Sequence, residues 1–301
     1  MRLIDPRTTY IITNPAEFAL RVLKSFQANQ GLLLAGAVAY YALLSIVPLL
    51  ILMVIALSQV IGQDVLLATL GRALEYVAPG QGKALVVELQ ALADHREVIG
   101  WVLFITMLFF SSLGFKVLEN AISVIFLHRI QERKRHLIVS LLLPFGYIVY
   151  IGAALLAGTI MISNLKAIGG EHLLFLGHSW SLSGFSRWLI YFASLLGEIL
   201  FISSIYYFMP VGRLSARHAL IGGTSAALLW ELVRHALGWY FDTLSQVSVV
   251  YGSLATAIIV MLSLEVAATL LLLGAQVIAE YENIDAGGEK KPPVPMRTEA
   301  V

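Results

Sequence analysis

The chain has 301 residues, of which 58% are hydrophobic and only 13% are charged, whereas soluble domains carry about 25% charged residues. This composition excludes an ordinary soluble domain and indicates an integral membrane protein. The formal net charge of +1 provides no basic excess for a nucleic-acid partner, and the absence of cysteine excludes disulfides, thiolate metal sites and cysteine nucleophiles.

The N-terminal 30 residues contain a segment, 15–28, that predicts an amphipathic helix. Asn14 and Pro15 resemble a helix start, with Asn14 as the cap and Glu17 placed to reach back to it. The apolar positions Phe18, Val22 and Phe26 recur every four residues, opposite Arg21 and Lys24. We expect this helix to lie on the membrane surface, and a soluble cap on a helix bundle is the alternative.

The first membrane span is predicted at 32–62. Residues 25–63 include no Asp, Glu, Lys or Arg, and about 20 apolar residues suffice to cross a bilayer. The run is also far longer than a signal-peptide core, so no cleaved signal is expected. Ala35, Ala39 and Ala42 recur at roughly helical spacing, which lets neighbouring helices approach closely. Pro48 removes a backbone donor and should kink the helix.

The next segment, 64–97, is amphipathic and too short in each half to cross the membrane. Its first apolar stripe comprises Leu66, Leu67, Leu70, Leu74 and Val77. The sequence 79–82 (PGQG) then interrupts the pattern, and a second helix follows through Leu85, Leu89 and Leu92. We expect a helical hairpin on the external membrane face.

Further apolar segments complete a six-span, all-α membrane protein. The predicted spans are 32–62, 98–126, 137–165, 188–209, 219–241 and 251–279, within a single domain of residues 1–281. Residues 166–187 are predicted to form a loop with a short apolar run at 173–176, and 282–301 to form a disordered cytoplasmic tail. With both termini cytoplasmic, the inside segments hold 13 Lys and Arg residues and the outside segments 5, as the positive-inside rule requires.

Motifs in three of these spans resemble the YihY / virulence factor BrkB family of bacterial inner-membrane proteins, which carries an old label of ribonuclease BN. They are 37–50 (AVAYYALLSIVPLL), Pro210 with Arg213 and 217–222 (RHALIG), and 251–255 (YGSLA) with 273–275 (LGA). The resemblance covers about 18–280 and implies a six-helix, transporter-like protein of the bacterial inner membrane. At 263–265 (SLE) similar proteins more often look aromatic, so Glu265 is not assigned as a family-wide site. Pro210, Gly222, Gly252 and Gly274 are assigned structural roles, as are Ala35, Ala39 and Pro48.

Ionisable residues inside the predicted spans are the candidate functional positions. A carboxylate at the middle of a span costs roughly 2.5–3.5 kcal/mol on insertion scales and normally faces a bundle interior or a water-filled path. Glu198, Glu231 and Glu265 each lie near the centre of a span. One face of the fifth span carries Thr224, Glu231, Arg234, His235, Gly238 and Asp242, and the second carries Ser112, Lys116, Glu119 and Ser123.

Two interpretations of these polar stripes stay open. In one, they are closed ion pairs, because Glu231 can reach Arg234 or His235 and Lys116 can reach Glu119 on the same helix. In the other, they line a substrate or proton pathway. Glu198 and Glu265 have no cation at such spacing on their own helices.

The sequence offers little support for an enzyme. The segment 177–181 (GHSWS) departs from G-x-S-x-G at its last position and lies outside a strand-to-helix context. The seven histidines show no H-E-x-x-H pattern. A nuclease would need grouped carboxylates or a basic channel, so the ribonuclease label is not carried over, and we expect no cofactor and no metal.

Two functions remain. The first is a transporter or translocator of an amphipathic or lipid-like substrate through a polar cavity between helices, with the segments 15–28 and 64–95 framing its mouths. The second is a structural or scaffolding membrane protein without transport activity. A continuous polar cavity favours the first, and closed ion pairs favour the second. Membrane lipids are the expected partners, with a homo-oligomer left open, and no nucleic acid is expected.

Overall fold

The chain folds as a helical assembly in a computed structural model that describes residues 6–57, 62–77, 80–94, 101–126, 146–147, 150, 153, 172–175, 178–181, 183–209, 214–243 and 254–284. Nine helices lie in these ranges: α1 Pro6–Thr13, α2 Pro15–Ala28, α3 Gly31–Leu57, α4 Gln63–Val77, α5 Gly82–Asp94, α6 Trp101–Ile125, α7 Ser183–Phe208, α8 Ala216–Thr243 and α9 Ala255–Asn283. A short antiparallel hairpin joins β1 His172–Phe175 to β2 His178–Ser181.

The predicted amphipathic helix is present as α2, and its apolar stripe of Phe18, Val22 and Phe26 is buried. The stripe packs near the end of α9, where Phe18 and Val22 form one cluster with Ile284. Asn14 is the N-cap residue of α2 and Pro15 its first residue, as predicted, but the Asn14 side chain makes no capping hydrogen bond to the first turn. Helix α1 ends directly before Asn14, whose amide instead donates to the Thr13 hydroxyl at 3.1 Å.

Helix α3 lies antiparallel to α9 and also packs against α6. Asn29, just before α3, donates to Gln276 near the end of α9 at 2.9 Å, and Ala39 packs with Val260 near the start of α9. Ala35 and Ala39 are fully buried at these contacts. On the other side, the Ser45 hydroxyl accepts the backbone N–H of Gly114 at 2.9 Å, which brings α3 and α6 close together.

Helix α9 also joins the second half of the bundle, where it packs against α8, and α8 in turn packs against α7. Gly222 of α8 and Gly274 of α9 meet at their crossing. The buried Tyr206 hydroxyl of α7 donates to the Leu271 carbonyl oxygen of α9 at 2.5 Å. α9 therefore contacts both halves of the bundle and occupies a central position in it.

The predicted helical hairpin is present as α4 and α5. Leu66, Leu67, Leu70 and Leu74 are buried. The hairpin packs along the later part of α3, since Leu74 clusters with Ile51. Leu85 of α5 reaches further, to the cluster of Ala39, Val260 and Leu264. Which side of the membrane it occupies stays a prediction.

Two helices in the described ranges are long and apolar enough to cross a membrane, Trp188–Phe208 and Ala255–Asn283. A third span is counted if α2 and the first part of α3, bent by 65°, act together. The predicted count of six spans stays a prediction. Most of the predicted third span lies outside the described residues, as do Pro210, Gly252 and the tail from 285. Pro48 lies inside α3, which continues past it to Leu57.

Two local boundaries predicted from the sequence were wrong. The predicted loop at 166–187 contains the β-hairpin, in which Leu173 pairs with Trp180 and so gives the apolar run a cross-strand partner. Helix α9 extends through Asn283, and Glu282, assigned to the tail, is buried. The apolar side of α9 continues through Tyr281 and Ile284, which are both buried, and this packing keeps the last turn helical.

Candidate functional site

Glu231 and Arg234 form an ion pair near the middle of α8. The Arg234 Nη2 atom donates to both carboxylate oxygens of Glu231, at 2.9 and 2.8 Å. The pair forms because residues three apart lie on the same face of a helix. Their side chains are 14% and 25% exposed, respectively, so the pair is largely shielded but not sealed from its surroundings. This is the closed pair that one interpretation of the sequence predicts.

His235 lies at the margin of this pair. Its Nδ1 atom is 2.7 Å from the Glu231 backbone oxygen and 3.9 Å from the Glu231 Oε1 atom. Because a carbonyl oxygen only accepts, the short contact requires the proton on Nδ1. The His235 side chain is 67% exposed. It is therefore an accessible neighbour of the pair and not part of an interior stripe.

Helix α7 adds two ionisable groups to the same place. The Tyr191 phenol interacts with the Glu231 carboxylate, and Glu198 contributes to the electrostatic field at that phenol. Tyr191 and Glu198 are seven residues apart, which places them on one face of α7. The Oε1 atom of Glu198 is inaccessible to solvent. We call Tyr191, Glu198, Glu231 and Arg234 the polar cluster.

Close packing of α7 on α8 positions the polar cluster. Gly223 of α8 lies against the Ser203 backbone nitrogen and the Ile199 carbonyl oxygen of α7, so a Cβ there would come within 2.9 and 3.0 Å of them. The two helices run antiparallel from this contact toward Tyr191 and Glu231. Tyr191 was not predicted from the sequence, although its spacing of seven residues from Glu198 is a signal that indicates a shared helix face.

The chemistry of the polar cluster follows from its charges. It combines two carboxylates, one guanidinium and one phenol. In a medium of low dielectric such carboxylates can bind a proton or a cationic group. The Tyr191 hydroxyl can donate a hydrogen bond to an ionised Glu231 carboxylate and can accept one when Glu231 is protonated.

The other predicted pathway residues lie elsewhere. The Glu265 carboxylate of α9 is close to Gly36 of α3, where a Cβ would lie 3.9 Å from its Oε1 atom. On α6, Lys116 is exposed while Glu119 is buried. The structure therefore brings Glu231 and Arg234 together, with His235 beside them and Glu198 in electrostatic reach of Tyr191, and places Glu265, Lys116 and Glu119 at other helix faces.

A second group of buried polar residues lies where α8 begins and α9 ends. The His218 Nδ1 atom is 2.5 Å from the Glu282 Oε1 atom, and the Tyr281 ring packs edge-on against the imidazole. Glu280, one turn from Gln276, is only 2% exposed. The sequence analysis missed this junction because it placed Glu282 in the tail. The contact joins the two helix ends and has a structural role.

The described residues contain no group of three or more His, Asp or Glu side chains placed to hold a metal ion. A cavity of about 240 Å³ lies beside α7, lined by Gly146, Tyr147, Tyr150, Ser204 and Phe208. Its volume is below the range of about 300–1,000 Å³ typical of ligand pockets. Its lining does not include the polar cluster.

Comparison with known proteins identifies relatives over most of the chain. The sequence model of the family described as virulence factor BrkB matches residues 22–298. A UPF0761 membrane protein of Vibrio campbellii is 26% identical over 282 residues, which cover 91% of this chain and 84% of that protein. One of Vibrio parahaemolyticus is 27% identical over 283 residues, with the same two coverages. One of Alkalilimnicola ehrlichii is 25% identical over 272 residues, which cover 88% of this chain and 59% of that longer protein. No solved structure matches the chain.

Proposed function

Since the chain belongs to the virulence factor BrkB family of membrane proteins, we propose that it is a six-span protein of the bacterial inner membrane that translocates an amphipathic, lipid-like substrate. Both termini are cytoplasmic in this proposal. The balance of 13 inside against 5 outside basic residues supports the orientation. The names of the relatives state only that they are membrane proteins, so the argument for transport depends on the polar cluster.

The polar cluster is the observation that carries this proposal. Glu198 and Glu231 lie near the middle of α7 and α8, where each carboxylate costs roughly 2.5–3.5 kcal/mol to insert. The residual exposure of Glu231 and Arg234 leaves them within reach of water or of a substrate group. These features support a proton or substrate pathway between α7 and α8.

The surfaces at the two ends of α3 support an amphipathic substrate. Helix α2 buries one apolar stripe and exposes Leu20 and Leu23 beside Lys24. At the other end, the hairpin of α4 and α5 combines apolar walls with basic side chains. A molecule with a charged head and an apolar tail matches both surfaces better than a uniformly polar solute does.

A scaffolding function is the second candidate, and the geometry of Glu231 and Arg234 favours it. Their two hydrogen bonds close the pair on itself. A pair of this kind neutralises its own charges and fixes the helix face without any substrate. In this alternative the protein acts through partners bound at its loops, and membrane lipids surround it. Neither candidate includes a catalytic site, a cofactor or a nucleic-acid partner, and a homo-oligomer is compatible with both.

A reconstitution experiment separates the two candidates. The purified protein is analysed for co-purified lipid and then inserted into liposomes that contain fluorescent phosphatidylglycerol, whose transfer between leaflets is followed by quenching from outside. We expect faster transfer than in protein-free liposomes and loss of that gain in Glu198→Gln. Glu299→Gln, the same chemical change far along the sequence from the polar cluster, serves as the matched control. Transfer no faster than in protein-free liposomes, for this and for a zwitterionic lipid, would favour the scaffold.

A further inference from the structure

A groove of about 780 Å³ lies between α4 and α5, within the range of about 300–1,000 Å³ that ligand pockets occupy. Its apolar wall comprises Leu67, Ala68, Val86 and Val87. Arg72, Glu75 and Lys83 supply its charged groups. Because Leu74 fixes the hairpin against Ile51 of α3, the groove lies toward the end of α3 that is opposite α2.

Glu75, the carboxylate among the described residues that line the groove, already has partners. Glu75 accepts the backbone N–H groups of Gly80 and Gly82, at 2.5 and 2.9 Å, at the start of α5. The turn depends on the positive φ of 79° at Gly80. A carboxylate at a helix N-terminus is stabilised by the amide groups it caps. Glu75 is therefore occupied in holding the hairpin together.

The two cations in the groove are not neutralised in this way. Arg72 donates to the Thr69 hydroxyl at 3.2 Å and, more weakly, to the Ala68 carbonyl oxygen at 3.4 Å. Both Arg72 and Lys83 are exposed. Within the described part of the chain, neither forms a salt bridge with a carboxylate. Among the described residues, the groove therefore presents two positive charges that have no carboxylate partner, beside an apolar wall.

We infer that this groove binds an anionic phospholipid, with the head-group phosphate between Arg72 and Lys83 and the first part of an acyl chain along Val86 and Val87. The charges select an anion, and the apolar wall selects a lipid over a free phosphate ion. The inference deepens the proposed function and rests on it in one respect, because it names the class of substrate that enters at this mouth. Val87 is 64% exposed, which is consistent with a wall that is covered only when a ligand is present.

Binding can be measured without translocation. Full-length protein in detergent is titrated with dihexanoyl phosphatidylglycerol, dihexanoyl phosphatidylcholine or inorganic phosphate in a calorimeter. We expect saturable binding of the phosphatidylglycerol, weakened at least about tenfold in the Arg72→Gln/Lys83→Gln protein and reduced by added salt, which screens exposed charges. Arg217→Gln removes an exposed cation outside the groove and should bind like the parent. Val87→Asp should also weaken binding, because it places a negative charge on the apolar wall.

Each result decides the inference. Equal affinity for the zwitterionic lipid would overturn the role of the two cations, and equal affinity for inorganic phosphate would overturn the lipid as the ligand. If the double variant unfolds at a lower temperature than the parent, Val87→Asp and the salt dependence still test the groove. Parent-like affinity in Val87→Asp, together with binding that added salt does not weaken, would overturn the inference. A parent protein that transfers lipid between leaflets but shows no saturable binding of the phosphatidylglycerol contradicts this inference alone. Intact binding without transfer contradicts the proposed function alone.

Discussion

Gly222 and Gly274 bring α8 and α9 so close together that a Cβ on Gly222 would lie 2.9 Å from the Gly274 carbonyl oxygen. Backbone atoms cannot rotate away as a flexible side chain can, so the helices would have to separate. We predict that Gly222→Ala lowers the free energy of unfolding by about 1–3 kcal/mol through overpacking. Thermal unfolding in detergent measures the effect.

Gly238→Ala is the control for this prediction, since it makes the same change on the same helix. A Cβ at Gly238 would meet nothing within 4 Å, so the variant should be about 0.5–1 kcal/mol more stable through helix propensity alone. A Gly222→Ala protein that gains stability as Gly238→Ala does would show that α8 and α9 separate without cost.

Ala39 offers a similar test on α3. It is fully buried and packs with Val260 and Leu264 of α9. Ala39→Leu should cost about 1–3 kcal/mol because the added volume has no space to occupy. Ala37→Leu, two residues away on an exposed side of the helix, should change the unfolding temperature little. Equal melting of both variants would place lipid, and not α9, against Ala39.

Periodicity along the sequence was sufficient to predict the features that repeat along a single helix. The apolar stripe of α2 and the leucine stripe of α4 appear in the structure as buried faces, because a helix that buries one face repeats its apolar residues at a fixed spacing. The pair of Glu231 and Arg234 follows from the same spacing. Local geometry determines all three features.

Features that depend on two separate segments were harder to predict. Tyr191 becomes part of the polar cluster only because α7 lies antiparallel to α8. Glu282 belongs to a helix only because His218 and the core around Ile284 hold it there. Glu265 was grouped with the other carboxylates because it lies near the centre of its predicted membrane span, but this depth in the membrane does not specify the direction in which the side chain points. One sequence does not fix which helix faces meet, so these contacts needed the structure.

The Glu17 and Arg21 pair on α2 predicts a weak pH dependence. The hydrogen bond from Arg21, at 2.7 Å, lowers the pKa of Glu17 below its usual value of 4.5, and Tyr10 acts in the same direction. A carboxyl group whose pKa is lowered on folding stabilises the fold above its unfolded pKa, and this contribution is lost as the pH falls through the lowered value. The protection of the α2 amides against hydrogen exchange, taken relative to their intrinsic exchange rates, should therefore decrease below about pH 4.5, by a small amount because exposed pairs contribute little.

Glu17→Gln is the control for that pH dependence. The variant cannot titrate at this position, so the exchange of α2 should lose this part of its pH profile while keeping the buried stripe of Phe18, Val22 and Phe26. An unchanged profile in the variant would assign the acid sensitivity of α2 to another group.

The topology prediction depends on the distribution of Lys and Arg between the loops. Reporter domains fused after Arg135 and after Arg217 should read as cytoplasmic, and one inserted within 80–95 should read as external. The external insertion is the internal control for the two cytoplasmic fusions, because a misfolded protein would not give this ordered pattern of locations. The reverse pattern at either end would contradict six spans with both termini inside.

The last prediction concerns the working role of the Glu231 and Arg234 pair. If the pair is only structural, Glu231→Gln leaves the Arg234 charge without its carboxylate, a change that costs about 3–5 kcal/mol for a buried pair and less at their partial exposure. The double variant Glu231→Gln/Arg234→Gln then removes both charges and should restore folding and leaflet transfer together. Thermal unfolding and the reconstituted transfer assay report the two quantities separately.

If Glu231 instead carries a proton or contacts the substrate, the two quantities should separate. Glu231→Gln should abolish transfer in protein that still folds, and the double variant should not recover it, because the titrating carboxylate is absent from both. Tyr191→Phe is the companion test: it removes only the hydroxyl that interacts with Glu231, so it should shift the pH dependence of transfer while the unfolding temperature stays near that of the parent. A Glu231→Gln protein that transfers lipid like the parent, with the same pH profile, would remove the polar cluster from the mechanism and leave its ion pair with a structural role.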